Sequence, residues 1–207
     1  MQMFRRLAAG LATAAVLAGP AAALDVREVT SPGGVEFWLV EETSIPIVAV
    51  EMSFDGGARL DPEGRTGLAS MTAALMSEGA GEMDTVAFAR ARDEISARFG
   101  FSAGRDEMSV SARMLAENAT ESAELLATAL AEPRFDPDPV ERVRGQMLAS
   151  VAEAKTDPRS VARRTWYART FPDHPYGRPT DGTEAGLTTI TREDLAAAHQ
   201  RLYTRAN

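Results

Sequence analysis

The sequence predicts an α+β domain. Segments rich in β-branched and aromatic residues fall mainly before Met114, helical periodicity takes over from Asn118, and the two do not alternate as they would in a doubly wound sheet. Val35 to Val40 and Ile47 to Phe54 read as strands, the second by alternation of Val48, Val50, Met52 and Phe54 against Ala49, Glu51, Ser53 and Asp55. Asp55-Gly56-Gly57 ends that strand, and Asp61-Pro62-Glu63-Gly64 makes a turn before a helix over Gly67 to Ser77. Thr66 is the expected cap of this helix, and Leu68, Met71, Leu75 and Met76 its buried stripe. Asp84 or Thr85 caps a second helix that runs to about Arg98, with Val86, Phe88, Ile95 and Phe99 on its buried side. Phe99 to Ala103 and Met108 to Met114 return to strand across the polar turn Gly104 to Glu107.

Three helices follow: Asn118 to Ala131, Val140 to Lys155 after the Pro137-Asp138-Pro139 break, and Arg159 to Phe171. Pro172 to Gly186 is a long Pro/Gly loop. The final helix opens on a capping-box variant of Thr191 and Asp194 and buries Leu195, Ala198, His199 and Leu202.

Composition narrows the function. The 207 residues are 44% hydrophobic and 25% charged, an ordinary globular balance, and a net charge of -8 leaves no bulk basic surface for nucleic acid. There is no cysteine, and the two histidines, His174 and His199, stand far apart, which excludes disulfides, thiol catalysis and a His-rich metal site. Lys155 is the only lysine. The arginine bias reads as a coding trait; an arginine-lined anion site would need clustering that the sequence does not display.

Residues 1–23 read as a secretory signal: Arg5 and Arg6, an apolar run from Leu7 to Leu17, and small residues at Ala21 to Ala23. The run is too short for a permanent membrane anchor. An exported, periplasmic chain of residues 24–207 is the expectation.

Gly56-Gly57-Ala58-Arg59, Gly64-Arg65-Thr66-Gly67-Leu68-Ala69, Glu141-Arg142, Lys155 with Asp157-Pro158, His174-Pro175-Tyr176-Gly177, and the closing Tyr203 to Asn207 occur in one order and spacing. Together they resemble the insulinase/pitrilysin family of inverted-motif zinc peptidases. The resemblance covers essentially all of the chain after the signal and implies a mostly antiparallel sheet packed against a layer of helices. Active members carry His-x-x-Glu-His directly after Gly-Leu-Ala, two His ligands to one zinc with a Glu that activates its water. Those five positions here are Ser70, Met71, Thr72, Ala73 and Ala74, and the position of the third ligand, a Glu, falls at Ala149 or Ser150. No catalytic residue, metal or other cofactor is therefore expected.

The remaining candidates read as structural. Glu153 is a solvated helix charge, His174 fixes the turn at Pro175, His199 is a partly buried helix residue, and Glu78, Glu82 and Asp84 are solvated turn and helix-start charges. Ser70, with no histidine base in sequence range, merely faces a vacated cleft.

The resemblance further implies a non-catalytic subunit that pairs with a zinc-bearing relative and binds extended peptides by adding a strand to a sheet edge. Phe99, Gly100, Phe101, Ser102 and Ala103 are the expected edge. The alternative is a metal-free scaffold in an envelope assembly. Family members continue past a segment like Tyr203 to Asn207, so a chain that stops short of its domain's end is also expected.

Overall fold

Two segments of β-branched and aromatic residues flanking Ser31-Pro32-Gly33-Gly34 make the first described element, an antiparallel hairpin of β1 (Val26–Thr30) and β2 (Glu36–Val40), with Val26 opposite Val40. Its turn is closed by the Val35 N–H, which donates to Ser31 Oγ at 3.0 Å, and by Gly34 at φ 80°. The computed structural model describes residues 25–207, so the expected signal segment lies outside the described residues. The hairpin belongs to one compact unit, and residues 46–207 form the other.

The second unit is built on a three-stranded antiparallel sheet in the order β3 (Ile47–Asp55), β5 (Glu107–Leu115), β4 (Arg98–Ala103). Register pairs Met52 with Val110 and Phe101 with Val110. Alternation along β5 separates two faces: Met108, Val110, Ala112 and Met114 are buried, while Glu107, Ser109, Ser111 and Arg113 point the other way. The buried face is covered by helices, so this unit has the α+β, antiparallel architecture expected.

Its helices are α1 (Leu68–Leu75), α2 (Thr85–Glu94), α3 (Ala119–Ala131), α4 (Pro137–Glu153), α5 (Pro158–Thr170), α6 (Glu184–Thr189) and α7 (Arg192–Leu202). Leu68, Met71 and Leu75 of α1 share a core with Met108, Val140, Val143, Leu187, Leu195 and Leu202, so the central helix is enclosed by strand β5 and helices α4, α6 and α7. A second cluster joins Phe88 of α2 to Leu125 and Ala129 of α3. Among the described residues no helix is long and apolar enough to cross a membrane.

Several boundaries differ from expectation for physical reasons. Helix α2 ends at Glu94 because Ser96 takes φ 54° and the chain turns into β4 one residue before Phe99. Val86, expected inside, is 75% exposed, since Asp84 caps the helix by accepting from Ala87 N at 2.9 Å and leaves Phe88 as the inward residue of the first turn. The Pro137-Asp138-Pro139 sequence does not break α4 but starts it, because a proline in the first turn lacks only an N–H that has no helical partner. The long loop contains a 3-10 turn at Pro175–Gly177, and α6 begins inside it at Glu184. The capping box of Thr191 and Asp194 is present as predicted.

Candidate functional site

The start of α1 is set by a buried carboxylate. Asp61, 4% exposed, accepts the Gly67 N–H at 2.7 Å and the Ala69 N–H at 2.9 Å, serving two of the four amides that a helix start leaves without intrahelical partners. This replaces the expected Thr66 cap. Burial holds the Asp61 carboxyl above its ordinary value, with the two N–H donors and the Arg178 charge acting in the opposite sense. Gly67 sits at φ 103°, and a Cβ there would lie 2.8 Å from the Gly182 Cα, so the Gly67-Leu68-Ala69 motif is a close crossing of helix start and loop.

That crossing brings Ser70 against the loop. Its Oγ donates to the Thr180 carbonyl at 2.7 Å. Ser70, Ala103 at the end of β4, Gln146, Met147 and Ser150 of α4, and Thr180 and Asp181 of the loop line one cavity of about 360 Å³. Of the two positions open for the third ligand, Ser150 faces this cavity and Ala149 does not line it. Ala73 is 3% exposed in the core, and Ala74 does not line the cavity. Strand β4, the expected Phe99 to Ala103, pairs only with β5 among the described residues, so its other side is a sheet edge. Phe99 and Phe101 pack into the core beside Phe88, and Gly100 lies where a Cβ would meet Ser111 Oγ at 2.6 Å, which leaves the backbone as the feature this edge offers.

Gln146, Thr180 and Asp181 were not singled out in the sequence. Gln146 could have been, because it stands one helical turn before Ser150 on the same face of α4; the loop residues carry no local signal.

The residues at this cavity do not fit zinc. A catalytic zinc takes three protein nitrogen, sulfur or carboxylate ligands, whereas the lining offers one carboxylate, Asp181, already 2.8 Å from the Arg164 guanidinium. Among the described residues no three His, Cys, Asp or Glu side chains come together as a metal site. His174 Nδ1 accepts from Tyr176 N at 3.2 Å and so fixes the turn at Pro175, while His199 Nε2 meets the Leu130 carbonyl at 2.8 Å from a half-buried position on α7. Glu153 is exposed. Glu78 departs from expectation: its side chain is only 18% exposed and pairs with Arg142 of α4, because the turn after α1 folds back onto that helix.

The loop opposite α1 is itself held in place. Arg144 donates to the Leu187 carbonyl and, at 2.8 Å, to the Ile190 carbonyl, and Lys155 pairs with Glu184 at 2.8 Å, so α4 and the turn just after it hold both ends of α6. Tyr176 donates its hydroxyl to Asp106 at 2.6 Å, and that bond, with burial, raises the Tyr176 pKa.

A three-stranded antiparallel sheet, an enclosed helix and a cavity between α1, β4 and α4, lined in part by Ser70, Ala103 and Ser150, define an α+β domain. The model of the insulinase family (peptidase family M16) matches residues 37–184, and the chain belongs to that family. It is 24% identical over 163 residues to the non-peptidase homolog YmxG of Helicobacter pylori, covering 79% of this chain and 38% of that protein. It is 27% identical over 187 residues to the uncharacterized zinc protease Mb2805c of Mycobacterium bovis, covering 90% and 43%. The crystal structure of a peptidase M16 inactive domain from Pseudomonas fluorescens superposes with a TM-score of 0.79 at 28% identity, over 85% of this chain and 43% of that one. The chain thus spans about two fifths of the length of these relatives. The relatives include zinc-protease-like and non-peptidase proteins alike, and the cavity lining of this domain does not offer a zinc ligand set.

Proposed function

We propose that this chain belongs to an exported, non-catalytic insulinase-family subunit that pairs with a zinc-bearing relative and helps hold extended peptides for it. The observation that carries this reading is the shared cavity: Ser70 and Ser150, at positions that the resemblance sets against zinc ligands, meet the last residue of the β4 edge around about 360 Å³. The framework that shapes this cavity is firmly tied, through Asp61 at the start of α1 and Arg144 under α6. A peptide laid along β4 gains main-chain hydrogen bonds without side-chain selection and runs past Ala103 into the cavity. The partner supplies the metal chemistry.

The test is co-purification from cells with a zinc-bearing relative, followed by peptidase assays of the pair and of each subunit. Co-elution and higher activity of the pair are expected. A relative that is fully active alone and never co-elutes overturns the reading and leaves a metal-free scaffold. Export is tested by cell fractionation, with the protein expected in the periplasm; retention in the cytoplasm overturns it.

A further inference from the structure

Arginines from three separate segments of the sequence converge in the fold. Arg105 from the turn after β4, Arg163 and Arg164 from α5, and Arg178 from the loop line one crevice with a free volume of about 20 Å³, and the carboxylate among its lining residues is Asp181. On a chain of net charge -8 this is a concentrated patch of opposite sign.

The guanidiniums are held in place but only partly neutralised: four positive charges meet the carboxylates of Asp181 and Asp61. Arg105 donates to the carbonyls of Tyr176 at 2.8 Å and Arg178 at 3.2 Å and lies 3.6 Å over the Tyr167 ring, contacts that fix its position and leave its charge. Arg178 donates to the Arg59 carbonyl at a long 3.4 Å and is the one guanidinium of the four that faces the buried Asp61 carboxylate. Arg163 is exposed, makes no ion pair within 4.0 Å among the described residues, and acts on Asp157 only at longer range. Arg164 spends one nitrogen on Asp181, while its Nε–H is buried with no acceptor among the described residues. A buried donor of a charged group without a partner is costly and rare, and an oxygen of an anion satisfies it. The crevice has room for a single small group. Thr180 and Asp181 line both this crevice and the cavity beside Ser70, and Arg105 stands two residues past the end of β4.

We infer that this crevice binds a carboxylate of a peptide that runs along β4 into the Ser70 cavity, the Arg164 Nε–H and the Arg163 guanidinium being its donors. The inference rests on the peptide-binding reading above and adds a substrate class: peptides with an acidic side chain or a free C-terminal carboxylate at that point. Planar guanidinium forks suit a carboxylate oxygen pair, which makes the selection one of charge and shape together.

The experiment is calorimetric titration of the chain with unstructured decapeptides that differ only at these groups: Glu against Gln at one internal position, and a free against an amidated C-terminus. Wild-type protein is expected to bind one acidic form on the order of tenfold more tightly than its neutral counterpart. The pair that shows the difference identifies the carboxylate. In Arg164→Gln and in the exposed Arg163→Gln the preference should shrink to within about twofold, with the Arg163→Gln unfolding midpoint unchanged. Equal affinity for acidic and neutral forms in the wild type overturns the inference and leaves peptide binding standing. A preference that survives in Arg163→Gln with its full size overturns the site. Absence of binding by every peptide overturns both this inference and the peptide-binding reading.

Discussion

Ser70 and Thr180 are joined by a hydrogen bond of 2.7 Å from hydroxyl to carbonyl, across 110 residues of sequence. At the position that the family resemblance sets against a zinc ligand, Ser70 ties α1 to the loop. The Ser70 proton is directed to a backbone acceptor and not to a base, so the hydroxyl is a structural group. Ser70→Ala should lower stability by about 0.5–1.5 kcal/mol, the usual net worth of one hydrogen bond, as read by urea unfolding. No change in the midpoint would show that the bond contributes nothing.

Asp61 carries a larger share of the helix start. Asp61→Asn keeps the shape but offers one acceptor oxygen to two buried N–H groups, so the loss should be about 1–3 kcal/mol. The same denaturant titration checks it. Equal stability of the variant would mean that the two amides find other partners.

How much of this was legible in the sequence depended on range. Alternation in β5 and the Thr191–Asp194 box in α7 are local patterns, and both elements fold as they read. The Gly67 motif signalled a helix start, but the group that serves it, Asp61, lies six and eight residues upstream of its donors and could not be separated from an ordinary turn aspartate. Glu78 read as solvated because its partner, Arg142, is 64 residues away. The arginine crevice draws on three separate segments, which is why composition showed only a bias. Ser150 could be paired with Ser70 only by the fold, since Ala149 matched the motif as well.

Arg65 and Asp194 give the domain a pH dependence. Burial opposes charge on Asp194, but the Thr191 N–H and the Arg65 Nε–H at 2.7 Å hold its carboxyl below the ordinary 3.8. A depressed folded-state pKa means that the contribution is present above about pH 4 and is lost as pH falls through the folded value. The stability gap between wild type and Asp194→Asn should be larger at about pH 7 than at about pH 3 when both are unfolded in urea. A gap independent of pH would contradict this.

Tyr203 presents the reverse case. Its hydroxyl is buried without a hydrogen-bond partner among the described residues, and burial pushes its pKa up, while the ring packs edge-on to Phe54 at 5.3 Å. Tyr203→Phe keeps the ring and removes the unpaired group, so it should match or exceed the wild type, by up to about 1 kcal/mol in thermal or urea unfolding. A clear loss would reveal a partner for the hydroxyl.

The central claim is that the cavity of this insulinase-family domain no longer holds a catalytic metal. Calorimetric titration of the purified chain with zinc tests it directly. The account predicts only weak, non-stoichiometric uptake typical of an acidic surface, unchanged in Ser70→His because a single histidine cannot hold the ion. One zinc per chain bound at micromolar affinity or tighter would contradict it.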